Sequence, residues 1–232
     1  MKDEFICLIP ARGGSKRIKN KNIKKFLGKS FLERVIVNAK KSKIFKKIYV
    51  STDSKKIKNE AIKYGAEVPY MRSKELSNDF AIIKEVIDDF IDKMKFQFKG
   101  KRINLFVIYP TSIFVTIKLI HQCKKLLKNS EYVTTLKKFP HPIQRALRYK
   151  NQKLSPINLK KKLMRTQDLE EHFYNTVQID CIKVNAWKKN KMFHKLKAKF
   201  IILDDFDSID IDTPEDLKLA YKIFNFKNKK KF

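Results

Sequence analysis

Cysteine is scarce in this chain and nowhere paired. Cys7, Cys123 and Cys181 stand far apart, an odd number with no CxxC spacing. A disulfide framework and a cysteine-based zinc site are therefore disfavoured, and a reducing cytoplasm is the expected setting. No stretch of 18 apolar residues exists, so no membrane-spanning helix is expected. The opening MKDEFICLIPARGG has too short an apolar run, ending at Pro10, to read as a signal peptide. Neither GxxxxGK[ST] nor GxGxxG occurs, which weakens P-loop and dinucleotide-binding readings. His121, His141, His172 and His194 lack metal-ligand spacing, and no nucleophile constellation is present. A covalent mechanism has no candidate residue.

Negative charge is also in short supply: 24 acidic residues face 54 basic ones, for a net charge of +30. The basic residues are 46 Lys and 8 Arg, and Lys, Ile, Phe and Asn together make 105 of 232 residues, which fits A/T-rich codon usage. Nucleic-acid surfaces usually cluster their charge and favour Arg, whereas Lys here is spread from Lys2 to Lys231. A solvated, compositionally driven surface is the favoured reading, and attraction of anionic substrates the other. A basic nucleic-acid-binding domain remains the alternative of another class.

With 43% hydrophobic residues the chain can bury a sizeable core. Buried-strand runs alternate with helix-period stretches: strands at Phe5–Ile9, Lys47–Thr52, Ile103–Pro110 and EYVTTL, and helices at Ser30–Ser42, Ser54–Tyr64, Ile82–Phe96 and Thr116–Leu127. AEVPY reads as a short extended segment and Gly65 as a left-handed helix stop. This order predicts an α/β fold, a mostly parallel open sheet with helices on both faces. Ligands bind such sheets beyond the carboxyl ends of the strands. From Lys138 to Lys199 the rhythm changes to a proline-punctuated, basic stretch, read as an excursion from one domain spanning 1–232. Gln178–Val184 is a candidate strand within it. FIILDD then returns to the sheet, a helix is expected over Thr213–Phe224, and the tail NFKNKKKF is expected to fray.

Five segments could carry chemistry. In IPARGGSKRIKNKN (Ile9–Asn22) a strand feeds a turn holding two of the five glycines beside Arg12, Ser15, Lys16, Arg17 and Lys21. Gly13 and Gly14 would adopt positive φ and let backbone amides approach an anion. A plain glycine turn is the alternative. Between Asp204 and Asp216 lie seven of the 24 carboxylates. Asp210 and Asp212 alternate with Ile209 and Ile211, so an extended segment turns both carboxylates to one side. That suits Mg²⁺, which binds through one or two carboxylates plus substrate phosphates. Helix N-terminal chemistry accounts for Glu215 and Asp216 instead. MRSKELSNDF offers Arg72 and Asp79 for a nucleotide, or is a capped polar loop. YPTS puts the Thr111 and Ser112 hydroxyls at the end of the central strand. PIQRALR and RTQDLEE offer Gln144, Arg145, Arg165 and Gln167 for a carboxylate and hydroxyls, or form a solvated loop.

In this order, these residues resemble the CMP-nonulosonate cytidylyltransferases, the CMP-sialic acid synthetase-like family, over nearly the whole chain. The opening segment, STD at Ser51–Asp53 and SIDIDTPEDL carry the likeness. FPHPIQRALRY and RTQDLEE are closest to the pseudaminic acid branch. The resemblance implies a nucleotide-diphospho-sugar transferase-like fold and transfer of CMP from CTP to the anomeric hydroxyl of a nonulosonic acid, releasing pyrophosphate. Pseudaminate is favoured over legionaminate or neuraminate. It further implies that Ala11, Arg12, Gly13, Gly14, Ser15, Lys16, Lys21, Asn22, Arg72, Ser77, Asp79 and Thr111 hold the nucleotide. Arg12, Lys16, Lys21 and Asp212 would be catalytic, Asp210 and Asp212 would bind Mg²⁺, and Gln144, Arg145, Arg165, Gln167 and Gln178 would face the sugar. A homodimer joined through 138–199 is implied as well. Three departures mark the chain. Ile113 stands where the branch usually has proline, Ala81–Ile83 replace hydroxyl residues, and of an AYHDAGQFYWG-like stretch only Gln178 survives within HFYNTVQIDCIKVNAW.

Overall fold

The apolar runs become the strands of one sheet in a computed structural model that describes residues 3–229. In chain order the elements are β1 (Asp3–Pro10), β2 (Lys25–Phe26), β3 (Lys29–Ser30), α1 (Phe31–Lys41), β4 (Lys47–Ser51), α2 (Lys55–Lys63), α3 (Ile83–Lys93), α4 (Lys95–Phe98), β5 (Arg102–Ile108), α5 (Ile117–Leu127), β6 (Tyr132–Lys138), β7 (Leu147–Lys150), β8 (Lys153–Pro156), α6 (Leu159–Lys162), β9 (Phe173–Lys183), α7 (Val184–Asn190), β10 (Ala198–Ile202) and α8 (Pro214–Lys229). The main sheet runs β10-β6-β9-β5-β1-β4. β1 pairs in parallel with β4 and β5, and β10 with β6, while β9 lies antiparallel between β5 and β6. The mostly parallel open sheet is thus observed, with one reversed strand at its centre.

Helix starts follow local chemistry. The Ser30 hydroxyl accepts from the Glu33 amide at 3.0 Å to begin α1, and Thr116 accepts from Leu119 at 3.1 Å to begin α5. Side chains alternate through β1: Cys7 and Ile9 pack under α1, α2 and α5, whereas Ile6 and Leu8 face α3 and α7. Gly65 stops α2 with φ +87°, as its position predicts.

Several boundaries differ from the sequence reading. AEVPY stays an extended segment with one isolated bridge, Tyr49 to Glu67, and Met71 just after it makes another with Thr52. The helix expected over Ile82–Phe96 breaks at Met94 into α3 and α4. Of the stretch 138–199, β9 belongs to the sheet, and residues 139–172 project from it with the β7–β8 hairpin. α8 continues through Lys229 instead of fraying at Asn225, and the final residues 230–232 of the tail lie outside the described range. Among the described residues no helix is long and apolar enough to cross a membrane.

A third apolar cluster fastens α8 to the body. Phe26 is fully buried against Phe31, Tyr221 and Phe224, with ring centroids 4.4–5.7 Å away, and the Arg34 guanidinium lies 5.3 Å from its ring. Ile211, also fully buried, joins this cluster and so seats the acidic loop. Phe26→Ala should cost roughly 3–5 kcal/mol of unfolding free energy by urea titration. A loss below about 1 kcal/mol would show that α8 is held by something else.

Candidate active site

Beyond the carboxyl ends of β1 and β5 opens a cavity of about 610 Å³. The N-terminal loop, the 72–83 loop, the YPTS turn, Val177 and the acidic loop all line it. Five cations there (Arg12, Lys16, Arg17, Lys21, Arg72) face three carboxylates (Asp79, Asp210, Asp212), so the site carries a positive excess suited to an anion.

The two ends of the polypeptide meet across this space. Lys21 Nζ donates to Asp212 Oδ1 at 2.8 Å and to the Ile211 carbonyl at 2.9 Å, and Arg17 donates to Asp212 Oδ2 at 2.7 Å. Asn22 is buried and donates to the Arg12 carbonyl at 2.8 Å, which holds the loop in its curve. On the opposite side Arg12 donates to Asp79 at 2.9 Å and to the Asn78 carbonyl at 2.8 Å, and Lys16 pairs with the same Asp79. The hydrogen bonds from Lys16 and then Arg12 hold the Asp79 carboxyl below its ordinary range. Such half-exposed pairs contribute little net stability, so their cations can be re-partnered by phosphate at small cost.

The glycine turn works differently from expectation. Neither Gly13 nor Gly14 has positive φ. The Gly13 amide donates to Asp53 at 2.8 Å, and a Cβ there would lie 2.9 Å from the Ser54 Cβ. Gly13 is therefore required by close approach to the start of α2, while Gly14 is open and exposed. Ala11 is buried, its amide donating to the Ser51 carbonyl at 2.9 Å, and Ser15 lines the cavity. Arg72 is 6% exposed and its Nε donates to Ser77 Oγ at 3.1 Å. Burial lowers the pKa of its guanidinium, an effect that Asp53 opposes.

The two aspartates differ in electrostatic state. Burial, then the adjacent Asp212, pushes the Asp210 carboxyl up, although Lys21 and a hydrogen bond from Thr111 oppose this. Burial also acts to raise Asp212, but Lys21 and Arg17 outweigh it and hold that carboxyl below its ordinary value. Glu215 and Asp216 lie in the first turn of α8 as expected, and the Asp216 carboxylate accepts from the Asp212 and Thr213 amides at 3.0 and 2.7 Å. Among the described residues no group of three His, Cys, Asp or Glu could hold a metal by itself. Two carboxylates, one of them carrying a charge that its surroundings disfavour, fit a divalent ion completed by phosphate oxygens and water.

The residues expected to face the sugar separate. Gln178 is buried beneath the acidic loop, where its amide donates to the Ile209 carbonyl at 3.0 Å and its Oε1 is buried without a hydrogen-bond partner. The other four stand on the 139–172 lobe, away from the cavity. Gln144 donates to the Glu170 carbonyl at 2.9 Å, and Arg165 forks onto Asp168 at 2.7 and 3.2 Å. Arg145 donates to Thr166 at 2.7 Å and lines a separate cavity of about 440 Å³, and Gln167 is exposed. Asn78, which holds Arg12, and Val177, which lines the cavity, carry no signal in the sequence reading. Asp53 and Tyr109, named there only as parts of STD and YPTS, brace the glycine turn and line the cavity.

A cytidylyltransferase family model matches residues 6–201, and the chain belongs to that family. It is 33% identical over 224 residues to pseudaminic acid cytidylyltransferase of Campylobacter jejuni, covering 94% of this chain and 96% of that one. It is 30% identical over 245 residues to CMP-N,N'-diacetyllegionaminic acid synthase of Legionella pneumophila, covering 94% and 95%. Its fold is shared with CMP:2-keto-3-deoxy-manno-octonic acid synthetase, solved in complex with CTP, at a TM-score of 0.67 and 13% identity over 97% of this chain and 99% of that one.

The opposite shifts of the two aspartates yield a measurable asymmetry. A raised carboxyl favours folding at low pH and loses that contribution as pH rises from its ordinary value through the raised one. A lowered carboxyl contributes above its ordinary value and loses this as pH falls through the lowered one. At pH 7 without divalent ions, Asp210→Asn should raise the melting temperature by about 2 °C and Asp212→Asn should lower it by a similar amount. Calorimetry showing the reverse order would refute this electrostatic assignment.

Proposed function

We propose that this cytidylyltransferase transfers CMP from CTP to the anomeric hydroxyl of a nonulosonic acid, pseudaminic acid foremost, and releases pyrophosphate. The observation that carries this reading is the shared cavity in which the Arg12–Asn22 loop meets Asp210 and Asp212. Arg12 and Lys16 leave Asp79 to take triphosphate oxygens, while Arg72, Ser77 and Asp79 lie toward the nucleoside. Asp210, steadied by Thr111, and Asp212 would hold Mg²⁺. When bound, that ion offsets phosphate charge and favours deprotonation of a hydroxyl in its shell.

The acceptor oxygen forms a bond to the α-phosphorus as the bond to the bridging α–β oxygen breaks. Pyrophosphate leaves with that electron pair, and the hydroxyl proton passes to solvent or a carboxylate. Lys21 and Arg17 face the departing charge, so positioning and electrostatics supply the catalysis and no histidine base is needed. Legionaminic acid is the second reading for the acceptor, favoured by the 30% identity to the Legionella synthase.

We further infer a homodimer joined through 138–199, acting in a reducing cytoplasm. Exposed apolar side chains on the lobe, Tyr149, Leu154 and Leu163 among them, support the dimer. So does the position of Gln144, Arg145, Arg165 and Gln167, which do not enter their own chain's cavity. The three buried free cysteines suit the compartment.

Incubation with CTP, Mg²⁺ and a panel of nonulosonic acids should release pyrophosphate with pseudaminic acid fastest. Asp212→Asn should lower that rate at least about a hundredfold while the far-UV spectrum is unchanged. Undiminished turnover would remove the metal assignment, and stabilisation by an oligonucleotide but not by CTP would favour a nucleic-acid-binding protein. Sedimentation should give twice the 27.5 kDa of one chain, and a monomer would contradict the dimer.

A further inference from the structure

Asp180 is the one buried carboxylate among the described residues, 3% exposed and flanked on β9 by the fully buried Ile179 and Cys181. A lone buried carboxylate is costly unless donors surround it. Here Tyr132 and Thr134 hydroxyls donate to Oδ1 at 2.7 Å each, the Asn175 amide donates to the same atom at 3.4 Å, and the Tyr109 hydroxyl donates to Oδ2 at 3.3 Å. Packing alone would be served by an apolar residue, as at Ile182 two positions on, which faces the same side of the sheet.

Two of these contacts reach the cavity. Tyr109 lines it directly, and its hydroxyl is drawn inward to Asp180, so the phenol turns its polar end into the sheet and leaves ring carbon for the cavity wall. Asn175 uses its Oδ1 to accept from the Val177 amide at 2.6 Å, and Val177 also lines the cavity. Val177 has φ +53°, a left-handed conformation that a β-branched residue adopts only when its surroundings impose it. The β6–β9 register shifts between Thr134 and Leu136, next to this point, as bulges do where a side chain is re-aimed at a site.

We propose that Asp180 is a positioning residue for the acceptor, holding Tyr109 and, through Asn175, Val177 as an apolar wall that receives a methyl or N-acyl substituent of the sugar. This rests on the acceptor reading above. Arg12, Lys16 and Asp79 occupy the nucleotide side, which leaves the Tyr109–Val177 wall beside Asp210 for the second substrate.

Three variants test it: Asp180→Asn, Tyr109→Phe, and Asp88→Asn as a control. Asp88 accepts from the Trp187 indole at 2.8 Å and from Lys84 at 2.9 Å, and neither of these partners lines the cavity. Asp180→Asn and Tyr109→Phe should raise KM for the acceptor about tenfold while KM for CTP stays within about twofold. Asp88→Asn should lower the melting temperature with no such split. Equal movement of both KM values, or of neither, overturns the proposal. Tyr109→Phe removes a single hydroxyl and decides the matter if Asp180→Asn does not fold. Ring-labelled tyrosine NMR reads the contact apart from turnover, since the Tyr109 ζ-carbon resonance should move in Asp180→Asn. If no nonulosonic acid is turned over by the unmodified protein, the acceptor reading fails. An unmoved Tyr109 resonance overturns the positioning role separately.

Discussion

The junction of residues 12–22 with residues 209–216 is the constraint on which the site depends. Lys21 and Arg17 reach Asp212 across more than 190 positions of sequence, yet ion pairs of this exposure hold little together. What closes the junction is apolar. Ile211 and Phe26 are fully buried in one cluster with Ala220 and Ile223, and Ile18 of the N-terminal loop joins them. Because Ile209 and Ile211 alternate with Asp210 and Asp212, burying the isoleucine side commits the carboxylates to the cavity side. The ion pairs are then free to do chemistry, since the fold does not rely on them.

That division of labour clarifies the charge. A net charge of +30 spread over the surface repels itself and gives no specificity. Within the cavity the positive excess is arranged: two cations rest on Asp79 and two on Asp212. Each carboxylate keeps its cations in place without burying them, so an anion entering the cavity would meet donors that are already oriented. Arg72 differs, being buried and tied to Ser77, and its low exposure marks it as part of the cavity's frame.

Much of this was legible in the sequence because the informative patterns are local. The helix-period stretches beginning at Ser30, Ser54 and Thr116 announced three helices, whose starts those hydroxyls cap, and the period-2 run Ile209–Asp212 announced its two faces. Where a residue's reason is tertiary, local reading failed. Gly13 looked like a positive-φ glycine, but its lack of a side chain is demanded by Ser54, some forty residues away. The central placement of β9 was hidden because the projecting lobe separates it from β6, and an antiparallel return breaks the alternating rhythm that marked the other strands. Gln144, Arg145, Arg165 and Gln167 carried the right chemistry without any local signal of where their backbone would stand.

The reversed strand also explains why the cavity has its particular floor. Had the chain continued the parallel pattern, the strand beside β5 would present a carboxyl end next to Thr111, and another strand-to-helix turn would fill that corner. β9 instead enters there, bringing Asn175 and Val177 in on the backbone before the strand becomes regular at Ile179. An irregular entry leaves backbone groups to satisfy and a β-branched residue in an unfavourable conformation. Asn175 satisfies the Val177 amide, Gln178 bonds the acidic loop, and the Ser112 hydroxyl and Tyr109 backbone amide donate to the Gln178 carbonyl at 2.9 and 3.3 Å. The same bonds that pay for the irregularity therefore tie the YPTS turn, the strand entry and the acidic loop into one unit, so a change in any of the three is felt by the other two.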